Sequence, residues 1–322
     1  MSAPDLDVVA IGHAIVDVLA RADDAALDRL GLVKGSMVLV DEARGEALYQ
    51  ALGPAVEASG GSAANTAAGV AALGGRAAFV GKVRDDQLGA VFTHDIVAVG
   101  VEFTTAAATD GPATGRCLVL VTGDAERTMG TYLGAAVGLS AADVTAELVG
   151  RAQVTYLEGY LWDPPGGIAA LRAAIALTHG AGRRVALSLS DPFCVERHRQ
   201  EFRDLLAGDV DVLFANEAEI VALYEATTFD EAVDHLRGGP VLAALTRGPA
   251  GSVVVDGDRV VAVAADPVAE VVDTTGAGDL YAAGFLYGLT RGFDVARCAE
   301  MGGAAAAEVI GHLGARPVPV TG

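Results

Sequence analysis

Positive charge, cysteine and aromatic side chains are all in short supply in this chain, and each shortage excludes something. Lys and Arg number 22 against 42 Asp and Glu, a net charge of -20, and only Lys34 and Lys82 are lysines. No Lys/Arg-rich run occurs, so neither a nucleic-acid backbone nor an anionic membrane finds a complementary surface. A small anion stays admissible, provided backbone N–H groups, a few arginines and a divalent ion build its site locally. Cys117, Cys194 and Cys298 are odd in number, widely spaced and fit no metal-ligand pattern. They read as free thiols buried in a protein of a reducing compartment. No apolar run reaches the ~18 residues of a spanning helix. The uncharged stretch Ala58 to Gly75 is interrupted by Ser, Asn, Thr and several glycines. Met1 to Asp7 carries two acids and no basic segment, which predicts no secretory signal and a cytoplasmic protein.

What the chain does have is alanine, glycine and alternation. Hydrophobic residues make up 52% of it, enough for closely packed helices on a parallel sheet, and 322 residues suit one α/β domain over 1–322 with an accessory piece. From about residue 150, short apolar runs alternate with helical patterns. Strands are predicted at Val154 to Leu157, Val185 to Leu189, Val212 to Ala215 and Val241 to Thr246, with helices at Ile168 to Thr178, Arg197 to Leu206 and Glu217 to Tyr224. That order predicts a mainly parallel central sheet with helices on both faces. Ser252 to Val255 and Arg259 to Val263 flank Asp256-Gly257-Asp258 and predict a hairpin. Helices from about Ala277 and Val295 close the chain.

The first 150 residues are less regular. Helices at Asp41 to Leu52, Ser62 to Leu73 and Gln87 to Val99 alternate with Val/Thr-rich segments such as Ala14 to Ala20, Met37 to Val40, Val101 to Thr105, Arg116 to Thr122 and Thr128 to Leu133. Several of these segments lack crossover helices, which places them in a small separate β-sheet. That sheet is expected to form a discontinuous lid from about 13–40 and 101–134 over a switch-point cleft.

Two glycine-rich stretches carry the chemistry. In "VVDTTGAGDLYAAGFL", Val271 to Leu286, Asp279 follows Gly276-Ala277-Gly278 where a helix begins. Free N–H groups, the positive end of the helix and close backbone approach make this an anion site with a carboxylate on its rim. A helix-capping carboxylate is the plain alternative. The dinucleotide fingerprint fails because Tyr281 stands where its last glycine belongs, and no G-x-x-x-x-G-K-[ST] loop occurs. The second stretch, "SGGSAANTAAGVAALGG" from Ser59 to Gly75, also enters a helix. Gly60 and Gly61 permit close approach, and the Asn65 carboxamide both donates and accepts, while tight helix packing is the alternative.

Together the stretches resemble the two signatures of the ribokinase-like, or PfkB, family of carbohydrate and nucleoside kinases. "NEAE" at Asn216 to Glu219 and "TRG" at Thr246 to Gly248 resemble further motifs of that family. The resemblance implies the ribokinase-like α/β fold, ATP as phosphoryl donor and Mg²⁺, and leaves a monovalent cation such as K⁺ open, as it does monomer against homodimer. It implies Asp279 as the base beside an oxyanion site of Gly276, Ala277 and Gly278, ionised at an ordinary carboxylate pKa, with Arg127 folding over the phosphates. Asn216, Thr246, Arg247, Gly248, Thr275 and His312 fall on the nucleotide side, and Glu219 holds Mg²⁺ through water. Surface roles are the alternative for Arg127 and Glu219.

The opening "VVAIGHAIVD", "LSLSDPFCVERHR" and "VIGHLGARP" resemble adenosine kinases and their bacterial relatives. By that resemblance Asp17, Asn65, Gly60 and Gly61 read ribose hydroxyls. His13 stands where such kinases commonly carry Asn, and it still offers a hydroxyl a hydrogen bond. Ile15, Met37, Tyr132, Tyr160, Trp162 and Phe193 are candidates for a base slot, ordinary core packing being the alternative for each. The expected activity is phosphorylation of the 5'-hydroxyl of adenosine. A sugar kinase acting on ribose or fructose is the runner-up, and a non-catalytic binding protein of the same fold a third reading.

Overall fold

The computed structural model describes residues 3–124 and 126–317. The first two residues of the Met1 to Asp7 stretch, and Ala125 within the 101–134 span, lie outside them. Fourteen strands are seen among the described residues: β1 Leu6–Ile11, β2 Ile15–Arg21, β3 Met37–Leu39, β4 Val56–Gly60, β5 Ala77–Val80, β6 Glu102–Phe103, β7 Thr114–Val121, β8 Arg127–Gly134, β9 Ala152–Glu158, β10 Arg184–Ser188, β11 Val212–Asn216, β12 Leu242–Thr246, β13 Ser252–Asp256 and β14 Arg259–Val263. Nine form one sheet in the order β14-β13-β12-β11-β10-β9-β1-β5-β6, parallel except where β13 and β14 turn back as the predicted hairpin. The other five form a smaller sheet, β3-β8-β7-β2-β4.

Strand alternation feeds two cores, one on each face of the large sheet. Val9, Ile11, Leu187 and Leu213 join one with Leu171, Phe202 and Ile220. Val8, Ala10, Ala186 and Val212 join the other with Leu280, Phe285 and Ala299. A period of two along strands covered on both sides requires this division. On the second face the helices Ser62–Ala72 and Ala277–Thr290 lie in close contact, and a Cβ on Gly69 would stand 2.6 Å from Ala283 Cβ. Helix packing and site building are therefore both served by the Ser59 to Gly75 stretch, at different positions.

The smaller sheet differs from expectation in two places. Glu102–Phe103 pairs in parallel with β5 at the edge of the large sheet instead of joining the small one. Val56–Gly60 supplies the fifth small-sheet strand, antiparallel to β2, although its sequence VEASG carries little strand propensity. The helix predicted from Arg197 begins at Pro192, with Asp191 accepting from Cys194 N–H as its cap, and is kinked at His198.

Candidate active site

Four chain segments converge where the small sheet meets the large one. The β1–β2 turn brings His13, β2 brings Asp17, the start of the helix Ser62–Ala72 brings Ser62 and Asn65, and the start of Ala277–Thr290 brings Asp279; all line one cavity. The helix carrying Asp279 opens on Gly276 at φ 77, a backbone that a side chain disfavours, and a Cβ there would also press within 2.6 Å of Ala315 O. Leu280 N–H bonds Gly276 O and Ala277 N–H bonds Thr274 O. Among the described residues, the Gly278 and Asp279 N–H groups are left without a backbone acceptor, an anion-receptive end.

Asp279 is held on both oxygens. Ser62 Oγ donates to Oδ1 at 2.6 Å and Asn65 Nδ2 to Oδ2 at 3.0 Å. Burial nonetheless raises its pKa to about 6, against those hydrogen bonds, so the ordinary carboxylate value expected from sequence is corrected upward. Asp17 is buried as well, and burial raises it to about 7, with Arg316 opposing and Asp279 and Asp273 adding to the rise. Gly60 lies directly over Asp17, and any Cβ there would overlap the carboxylate. Gly61, at φ 96, turns the chain from β4 into the helix.

His13 is buried and fixed by a residue the sequence did not single out. Glu158, ending β9, accepts from His13 N–H at 3.2 Å, from His13 Nδ1 at 2.7 Å and from Ala63 N–H at 3.0 Å. A carboxylate offers no proton to Nδ1, so that nitrogen carries the hydrogen and Nε2, which has no partner among the described residues, is an acceptor when the ring is neutral. The detectable signal was a lone acid one residue past the predicted strand Val154 to Leu157.

Arg127 reaches from β8 to the anion loop. Its Nη1 donates to Thr275 Oγ1 at 2.8 Å and its Nε lies 3.6 Å from Asp273 Oδ1. Asp273 is fully buried and also accepts from Thr275 N–H, Thr275 Oγ1 and Gly314 N–H. Asp273, Ser62 and Arg316 were not singled out as site residues, although all three lie inside the quoted stretches.

The apolar wall is aliphatic and sulfur-bearing instead of aromatic. Ile15, Met37, Leu39, Met129 and Leu133 line it, with Tyr160 at one side. Tyr132 is not brought there. Met129, Thr131 and Leu133 face the cavity, so strand alternation turns Tyr132 to the opposite face, against Gly45. Trp162 is buried against Phe202 in a core, and Phe193 sits 69% exposed on the first turn of its helix and off the cavity. Asp163 and Arg197 line the cavity as an ion pair at 2.8 Å.

Of the expected nucleotide-side residues, Thr275 lines this cavity, while the others stand apart from it, several at the C-terminal strand ends where open α/β sheets take ligands. Asn216 ends β11 and caps the helix Glu217–Tyr224; Glu219 N–H donates to its Oδ1, while Asn216 N–H and Nδ2 donate to the Glu219 carboxylate at 2.9 and 2.6 Å. Burial raises Glu219 to about 7. Thr246 ends β12, Arg247 is held by Glu217 at 2.9 Å over the Phe229 ring, and Gly248 follows in a turn. His312 lies in the C-terminal segment with Nε2 3.4 Å from Glu308. Thr275 is within the anion loop, as described above. Among the described residues no cluster of three His, Cys, Asp or Glu could hold a metal by itself. Mg²⁺ is commonly held by one or two carboxylates together with substrate phosphates, and Glu219 is a buried carboxylate on this side. No described helix is long and apolar enough to cross a membrane.

The fold and this site define a small-molecule phosphotransferase, and known proteins say of which kind. A family model described as pfkB family carbohydrate kinase matches residues 38–321, and the chain belongs to that family. It is an ATP-dependent kinase of a nucleoside or sugar. Its structure resembles adenosine kinase from Sinorhizobium meliloti at 54% identity and TM-score 0.93, over 97% of this chain and 96% of that one. It also resembles a probable sugar kinase from Rhizobium etli CFN 42 at 48% identity and TM-score 0.94, over 98% and 96%. In sequence it is 30% identical to the ATP-dependent ribose-1-phosphate kinase of Halopiger xanaduensis, over 97% of this chain and 94% of the relative.

Proposed function

We propose that this kinase transfers the γ-phosphoryl group of ATP to the 5'-hydroxyl of adenosine. The observation that carries the reading is the pairing, in one cavity, of Asp279 at an anion-receptive helix start with Asp17 beneath an apolar wall. Asp17 and His13 Nε2 are acceptors suited to the vicinal hydroxyls of a ribose, and an analogue lacking those hydroxyls leaves them unpaired. The wall of Ile15, Met37, Leu39, Met129 and Leu133 suits an uncharged base better than a sugar phosphate, whose anion would meet aliphatic carbon and several carboxylates.

In the reaction the attacking oxygen gives its proton to Asp279 as the new O–P bond forms and the β–γ bridging bond breaks, releasing ADP. With a pKa of about 6, Asp279 is roughly 90% ionised at pH 7 and still basic enough to take that proton. The Gly278 and Asp279 N–H groups and Arg127 stabilise charge on the transferring group. Glu219 would hold Mg²⁺ through water, and the ion would neutralise charge on the nucleotide phosphates. The small sheet serves as the lid that excludes water.

A sugar kinase is the second reading, favoured by the named activities of two of the relatives above. The test is ADP release with ATP and Mg²⁺ against adenosine, inosine, guanosine, cytidine, ribose, fructose and ribose 1-phosphate, with Asp279→Asn alongside. Adenosine should dominate, and the variant should lose about 10²- to 10⁴-fold in kcat. Preference for a free sugar or sugar phosphate overturns the substrate assignment. Ligand binding without any turnover overturns the kinase reading.

A further inference from the structure

The hydrogen bonds around Asp279 continue to the far end of the chain. Asn65 Nδ2 donates to Asp279 Oδ2 at 3.0 Å, and Asn65 Oδ1 accepts from Arg316 Nε at 3.2 Å. Arg316 Nη1 also donates to Ser59 Oγ, and Nη2 is enclosed without a hydrogen-bond partner among the described residues. The segment bearing Arg316 is fastened to the anion loop, because Gly314 N–H donates to Asp273 Oδ2 at 3.0 Å and Ala315 backs directly onto Gly276.

A carboxamide is nearly symmetric in shape, so its neighbours decide which end points where. Turned the other way, Asn65 would set N–H against guanidinium N–H and carbonyl oxygen against the Asp279 carboxylate. We infer that Arg316 is a positioning residue for the proposed phosphoryl transfer: its guanidinium orients Asn65 against Asp279 and supplies positive charge to a floor of carboxylates. The inference rests on Asp279 as the base. Around Asp279 stand Asp17, Glu158, Glu219 and the Tyr156 hydroxyl, with His13 held by Glu158 and the Arg127–Asp273 pair on the adjoining loop. Burial raises both Asp17 and Asp279, and Arg316 opposes the rise in each. Without it both carboxylates hold their protons to higher pH.

The experiment compares wild type, Arg316→Met and Arg316→Lys by kcat/KM against pH and by ¹³C NMR titration of the aspartate carboxylates, assigned with Asp17→Asn and Asp279→Asn. Arg316→Met should lower kcat/KM at pH 7 by about 10²-fold and move both the acid limb and the NMR midpoints upward by about one pH unit. Arg316→Lys should return the limb toward wild type while kcat stays depressed, because a single ammonium cannot reproduce the planar fork serving Asn65 and Ser59. If Arg316→Met does not fold, Arg316→Gln removes the charge with less loss of polarity and carries the same comparison. Unmoved midpoints overturn the inference whatever happens to activity, since a merely structural segment would lower activity at every pH alike. If wild type turns over no substrate while the midpoints still move, the kinase reading falls and the charge-setting role of Arg316 stands.

Discussion

Asp17→Asn should make the protein more stable at alkaline pH while removing its grip on substrate. The folded-state pKa of Asp17 is about 7 against 3.8 in an unperturbed side chain, a rise caused first by burial. A carboxylate raised in this way favours the folded state most when protonated, and that contribution is lost as pH climbs from about 4 through about 7. The displacement is about three pH units, and at ~1.36 kcal/mol per unit the ionised carboxylate costs about 4 kcal/mol above pH 8. Two factors reduce the recoverable part. Arg316 loses a counter-charge in the variant, and Asp17 titrates together with Asp279, so the shift belongs partly to the pair. A gain of about 2 kcal/mol, or roughly 4 °C in Tm, is the expected size at pH 8. More than half of that gap should open between pH 5 and pH 8. Thermal melts of wild type and Asp17→Asn across that range read it directly, with adenosine turnover as the companion assay. A variant that melts at or below wild type at pH 8, or a gap that stays the same at pH 5, refutes the claim that burying this charge opposes folding.

Two further substitutions probe residues that shape the same site. Gly60→Ala puts a methyl group into the space of the Asp17 carboxylate, and the displaced side chain should cost about 10²-fold in kcat/KM with a comparatively small change in Tm. Glu158→Gln places an amide among the three donors that Glu158 accepts from, His13 N–H, His13 Nδ1 and Ala63 N–H. The mismatch should destabilise by about 1 to 3 kcal/mol in urea unfolding and raise KM for the nucleoside, because the His13 ring is released.

The alternating half of the chain was legible because its strands carry short runs of mostly apolar residues flanked by helical patterns, and tertiary context had little to override. The small sheet was less so. VEASG in β4 joins it through antiparallel pairing with β2, a relation between distant segments that local propensity does not carry. Glu102–Phe103 is too short to announce its sheet, and pairing with β5 decides the matter. Tyr132 shows the same limit on a smaller scale. Its strand was predicted, but which of its faces meets the cavity depends on a register that sets Thr131 opposite Cys117, and one residue of shift would exchange the faces.

The site divides along the same line. Asp279 and Asn65 could be singled out because each lies at a helix start behind glycines, where a ligand can approach the backbone, and their expected roles came from the family resemblance. Glu158 and Arg316 could not be read in that way, since what they do is defined by what they touch. Glu158 acts on a histidine 145 residues away and Arg316 on an asparagine 251 residues away. Neither contact has a local signature, because a buried ionic partner needs only to arrive with the right charge and geometry. The same physics makes these positions consequential. Arg316 opposes the rise that burial imposes on both Asp17 and Asp279, so a residue whose role only the tertiary contacts reveal bears on whether those carboxylates are ionised.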